Sequence, residues 1–136
     1  MPEDTNHHGN IFGGRVLALI DKASAVAAMR HCHAPVVTAS IDRVDFLAGA
    51  REGSILILEA KLNAAFHTSV EVGVTVHAED PISGARQLTC RAFVTLVAVD
   101  GSRRPMAVPP LQARTEEEAA VAREAAERRE RRKKHG

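Results

Sequence analysis

One carboxylate, Asp21, stands inside the apolar run RVLALIDKASAVAAM, among Leu17, Ala18, Leu19, Ile20, Ala25 and Val26. An unpaired charge within an apolar element is costly, so its placement needs a reason. One reading puts Asp21 and Lys22 on a narrow exposed stripe. The other turns the carboxylate toward a cleft, where the small side chains of Ala18 and Ala25, a helical turn away, leave room for a substrate. A carboxylate so placed can act as a general base or as a nucleophile.

The segment before it, Asn10 to Gly14, offers complementary chemistry. The Asn10 amide carries both a donor and an acceptor. Gly13 and Gly14 stand where the helix is expected to begin, and a helix N-terminus presents unpaired N–H groups at the positive end of its dipole. Such donors can form an oxyanion hole for a carbonyl substrate. Turn formation or helix capping explains an asparagine beside glycines equally well. The histidines invite a metal reading, with His7-His8 near the proposed site and His31-Cys32-His33 after the helix. Adjacent side chains diverge on a strand and point about 100° apart on a helix, so neither cluster has ligand spacing and no metal is expected. Cys32 and Cys90 read as small packing residues. One cysteine pair in 136 residues makes no disulfide framework, in keeping with a reducing cytoplasm.

The elements that must position these groups follow from periodicity. A largely buried helix is expected from about Gly14 to Met29, ended before Pro35. The period then changes to two. Strands are expected at 36–46, 54–63, 68–78 and 87–99, the third alternating Val70, Val72, Val74, Val76 and Ala78 with Ser69, Glu71, Gly73, Thr75 and His77. One helix followed by strands without intervening helices indicates an α+β fold with an antiparallel sheet wrapped on the helix. A single helix covers one face of that sheet, so the other face or an edge is expected to meet a second subunit.

The length suits one domain, residues 1–112, with a charged tail at 113–136 that is helical or frayed. In that tail Thr115-Glu116-Glu117-Glu118 fits a capping box, and Glu124–Arg128, Glu127–Arg131 and Glu130–Lys134 have i,i+4 spacing. Large apolar residues are few there, so weak docking and a solvated helix are expected, the alternative being a basic contact for nucleic acid or an anionic surface. With 45% hydrophobic and 26% charged residues the chain has a globular balance. Four Phe without Trp or Tyr argue against a base-stacking nucleic-acid platform. A net charge of +1 points to no partner, and the sequence shows neither a signal peptide nor a membrane span.

The run DTNHHGNIFGGRVLALIDKASAVAA, continued by VVTASIDRVDF, TSVEVGVTVHAEDP and FVTLVAVDGSRRPMAVPPL, resembles the cytosolic acyl-CoA hydrolase branch of the hotdog thioesterases over about residues 4–111. The resemblance implies a long helix wrapped by an antiparallel sheet, paired into homodimers that build trimers of dimers. It also implies hydrolysis of acyl-CoA to CoA and a carboxylate, with Asp21 of one subunit as base or nucleophile and Asn10 and the Gly14 N–H supplied by the other. Neither route needs a cofactor. Gly13, His67, Thr68 and Ser69 match substrate-contacting positions, although the family's usual Gly-Arg pair is replaced by Phe66-His67. Relatives also have a strand before the DTN segment, so a first edge strand is expected to be missing. The competing functions are a hotdog hydratase or dehydratase, with His7 or His8 as base, and a non-catalytic acyl-CoA-binding module.

Overall fold

The computed structural model describes the backbone of residues 8–47 and 51–135 and the side chains of 13–47 and 51–134. Helix α1 (His8–Cys32) is followed by strands β1 (Val36–Phe46), β2 (Ile55–Ala65), β3 (Ser69–Glu79) and β4 (Arg86–Ala98), and then by helix α2 (Glu116–His135). The strands lie where alternation predicts them to within two residues. They form one antiparallel sheet in the order β1-β4-β3-β2. No helix among the described residues is long and apolar enough to cross a membrane.

One face of this sheet is apolar and packs on α1. Val70, Val72, Val74 and Val76 of β3 and Ala92, Val94 and Leu96 of β4 are fully buried there. From α1 comes a stripe at intervals of four, Val16, Ile20, Ser24, Ala28 and Cys32, all buried. Ser24 is tolerated because its hydroxyl donates to the Asp21 carbonyl at 2.8 Å. Burial pushes the Cys32 and Cys90 thiols up from their ordinary pKa. The expectation of a largely buried helix is corrected within the single chain. Leu19, Val26 and Met29, on the opposite flank, remain 40%, 41% and 42% exposed, because a four-stranded sheet covers one side of the helix.

The other face is polar, and α2 lies across it. Glu71 on β3 is fully buried. Its Oε1 accepts from Arg128 Nε at 2.8 Å, and its Oε2 accepts from Arg128 Nη2 at 2.8 Å and Asn63 Nδ2 at 2.9 Å. The Arg128 guanidinium lies 3.7 Å from the centroid of the Phe93 ring. A side chain at Gly73 would begin 2.9 Å from the Asn63 amide, so glycine there makes room for the network. Arg132 Nη1 reaches Asp42 Oδ2 on β1 at 2.7 Å, and Ala125 is fully buried.

The expectation of weak docking is therefore corrected. Two arginines fasten α2 where apolar side chains are scarce, and Arg128 turns inward to Glu71, not along the helix to Glu124. The sheet's second face is covered in part by the chain's own helix α2. Thr115 caps α2 by accepting the Glu118 N–H at 3.0 Å. Glu118 departs from the reciprocal box pattern by accepting the Arg114 N–H at 2.8 Å.

Candidate active site

After α1 ends, the chain reverses and β1 runs back beside it. His33, with φ 53°, closes the helix by donating its N–H to the Met29 carbonyl. The reversal brings Thr38, the third residue of β1, against the middle of α1. Thr38 Oγ1 donates to Asp21 Oδ1 at 2.6 Å. An ionised carboxylate only accepts hydrogen bonds, so Thr38 fixes one oxygen and the orientation of the group. No hydrogen bond to Oδ2 is formed among the described residues, which leaves that oxygen able to take a proton from water or to attack a carbonyl. Asp21 is half-buried and its neighbour Ala18 is exposed. Lys22 is exposed beside it, so this exposure accords with both the cleft and the exposed-stripe readings of Asp21.

Thr38 is the residue that the sequence did not single out. In the string VVTAS it reads as one more β-branched strand residue. Its role arises from the antiparallel return of β1, a contact seventeen residues distant with no local signature.

The glycine expectation changes. Because α1 already includes His8, Gly13 and Gly14 lie inside the helix and not at its start. A helical N–H is directed at the carbonyl four residues earlier, so the donors expected from Gly13 and Gly14 are engaged along the helix axis. Among the described residues a Cβ at Gly13 would meet Phe46, at 3.7 Å, and one at Gly14 would meet nothing within 4 Å. The Asn10 backbone is helical, but its side chain lies outside the described residues, as do His7 and the side chain of His8.

His67, Thr68 and Ser69 form the turn from β2 into β3. The turn is held by hydrogen bonds from Ala98 N to Thr68 O at 3.0 Å, Val108 N to His67 O at 3.0 Å and Phe66 N to Ser69 O at 2.8 Å. Ser69 pairs with Val97, and Val97 with Val37. The turn thus stands at the same end of the sheet as Thr38, two strand spacings or about 10 Å away. The structure does not bring these residues into contact with Asp21.

A model of the thioesterase superfamily matches residues 8–85. This chain belongs to that superfamily. It is 38% identical over 138 residues to the uncharacterised acyl-CoA thioester hydrolase YkhA of Bacillus subtilis, spanning 99% of this chain and 80% of the relative. Its fold is similar to an apo-hexameric acyl-CoA thioesterase, with a TM-score of 0.88 and 48% identity, covering 99% of this chain and 86% of that one. It is also similar to an acyl-CoA hydrolase of Staphylococcus aureus solved with butyryl-CoA, CoA and CoA disulfide. There the TM-score is 0.85 and the identity 38%, over 99% and 82% of the two chains. The expected α+β hotdog fold is the one observed. Alanine variants of the Staphylococcus aureus hydrolase have also been solved, at an asparagine, an aspartate fifteen residues later and a threonine seventeen beyond that.

Proposed function

We infer that this superfamily member hydrolyses acyl-CoA thioesters to CoA and a carboxylic acid, and that Asp21 and Thr38 are the part of its site carried on α1 and β1. The observation that carries the assignment is the 2.6 Å hydrogen bond joining them. The aspartate and threonine replaced in the Staphylococcus aureus hydrolase have the same seventeen-residue separation. The same spacing reassigns the asparagine. Fifteen residues before Asp21 stands Asn6, and position 10 lies only eleven before it. Asn6 therefore replaces Asn10 in this reading as the amide that polarises the thioester carbonyl.

A carboxylate with one oxygen held by Thr38 and the other open has two routes to the same products. It takes a proton from water as the water oxygen bonds to the carbonyl carbon, or its own oxygen makes that bond and water later cleaves the resulting anhydride. In both, the C–S bond breaks and the sulfur leaves as thiolate, to be protonated as CoA.

The reading includes a homodimer with a site shared between subunits, assembled as a trimer of dimers. The unpartnered apolar flank of α1, the open space over Gly14 and the hexameric state of the apo-thioesterase relative support it. A cytoplasmic location accords with two free, buried cysteines. The test is thiol release from short, medium, long and aromatic acyl-CoAs. Wild-type protein is expected to turn over part of the panel and Asp21→Ala to lose nearly all of that activity. Full activity in Asp21→Ala refutes the assignment.

A further inference from the structure

Three arginines of α2 face the sheet, and they are not equivalent. Arg128 and Arg132 each donate to a carboxylate, on Glu71 and Asp42. Arg129, between them in sequence, forms no such hydrogen bond among the described residues. Its ion-pair partner among the described residues is its neighbour Glu130, at 3.8 Å, beyond hydrogen-bond range, on a side chain 62% exposed. Yet Arg129 is held in place. Its guanidinium carbon lies 4.9 Å from the centroid of the Phe66 ring, and its side chain is only 31% exposed. Phe66 is itself fixed by its N–H bond to Ser69 and by the two backbone bonds that pin the turn after it. The exposed His67 side chain stands on that turn.

We propose that Arg129, packed against Phe66, is the docking point for the phosphate-bearing adenosine end of the CoA substrate. The proposal rests on the hydrolase reading above. A guanidinium held against an aromatic ring and without a hydrogen bond to a carboxylate among the described residues is preorganised for a phosphate, because little side-chain freedom remains to be lost when the fork closes on it. The aromatic ring against it suits a ligand that joins phosphate to a planar base. The location fits as well. The Phe66–Thr68 turn and Thr38 occupy the same end of the sheet, separated by about 10 Å across β4 and β3. CoA places its thioester and its phosphorylated adenosine at opposite ends of the pantetheine arm, which is long enough to bridge that distance around the sheet end. If stacking on Phe66 were all that Arg129 did, its loss would change stability and leave substrate selection untouched.

The experiment compares wild-type protein with Arg129→Gln and, as a control on the same helix, Arg131→Gln. Each is assayed on one acyl group presented as its CoA thioester and as its pantetheine thioester, which has no phosphate. Arg129→Gln is expected to raise KM for the CoA thioester about tenfold, the loss of one charged hydrogen bond, with kcat and the pantetheine thioester unaffected. Arg131→Gln should change neither. An unchanged KM, or an equal change on both substrates, overturns the proposal. Calorimetry with adenosine 3′,5′-bisphosphate keeps the two readings apart, since this probe has the nucleotide end and no thioester. Weaker binding to Arg129→Gln than to wild type supports the proposal even if no thioester is cleaved, and equal binding overturns it even if thioesters are.

Discussion

Replacing Arg128 by alanine should destabilise the protein more than any exposed charge substitution. The mutation leaves Glu71 fully buried with two of its three hydrogen bonds gone, only the one from Asn63 remaining. Breaking a buried pair by removing one partner typically costs about 3–5 kcal/mol, because the uncompensated charge stays behind. Loss of the stack on Phe93 adds to this. For a domain of this size each kcal/mol moves Tm by roughly 3–6 °C, so a fall of about 9–30 °C is expected. The assay is thermal unfolding at one fixed protein concentration, since assembly shifts apparent stability. Arg86→Ala is the comparison. It removes an ion pair of similar length, 2.8 Å to Glu79, but with the arginine side chain 56% exposed, and should cost less than about 1 kcal/mol.

A second variant separates charge from packing. Glu71→Gln combined with Arg128→Met removes both charges while keeping an acceptor for Asn63 and an apolar chain over Phe93. It should be less destabilised than Arg128→Ala alone, a non-additivity expected for directly bonded partners. High salt, roughly 1 M, should leave the Arg128→Ala penalty largely intact, because buried pairs are poorly screened. If Arg128→Ala melts with Arg86→Ala, or the double variant is the worse of the two, the claim that a buried ion pair fastens α2 is refuted.

At the site, Thr38→Val removes the hydroxyl while keeping the branched shape. A hydrogen bond to a charged group is worth about 1.5–3 kcal/mol, so kcat/KM should fall about ten- to a hundredfold, with Thr38→Ser restoring most of it. Equal activity in Thr38→Val would show that Asp21 needs no positioning by β1. Asn6→Ala should lower thiol release severely and Asn10→Ala only mildly, the reverse result returning the amide role to Asn10. If the site is shared, Asn6→Ala mixed with Asp21→Ala should recover activity in verified heterodimers, and no recovery places both residues in one subunit's site. Single turnover in ¹⁸O water distinguishes the two routes of Asp21. General-base attack puts the label directly into the released acid, whereas nucleophilic attack followed by water attack on the Asp21 carbonyl carbon of the anhydride leaves it in the Asp21 carboxylate after one cycle, so label in Asp21 identifies the covalent route.

The inner half of this fold was legible because each of its signals is local. Alternation at Val70, Val72, Val74 and Val76 names a strand and its buried face without knowledge of any partner. Asp21 was legible as an anomaly, a charge in an apolar run. Thr38 was not, since a threonine in a β-branched stretch carries no sign of which residue it meets after the chain reverses at Pro35. For the amide the sequence offers two candidates, and the proposed function prefers Asn6 to Asn10. Asn10 sits beside the glycines and so drew the turn and capping arguments to itself, while Asn6 has no such neighbours and is distinguished only by its distance from Asp21.

The outer half shows why a polar tail is a poor guide to solvation. The reading of α2 as a solvated helix rested on its few large apolar residues, which is the right criterion when burial of apolar area does the docking. Here the sheet offers a different surface. Glu71, Asn63 and Asp42 all point away from α1, and a carboxylate as deeply placed as Glu71 needs a cation in fixed geometry. Once Arg128 and Arg132 supply it, the position and rotation of α2 are set by two ion pairs on different strands. Arg129 is then carried to Phe66 as a consequence of helical spacing and not by any carboxylate of the sheet. The two faces thereby divide the labour. The inner one holds Thr38 against Asp21, the carboxylate proposed to act on the thioester, and the outer one, through a helix fastened by charge, presents a guanidinium at the same end of the sheet.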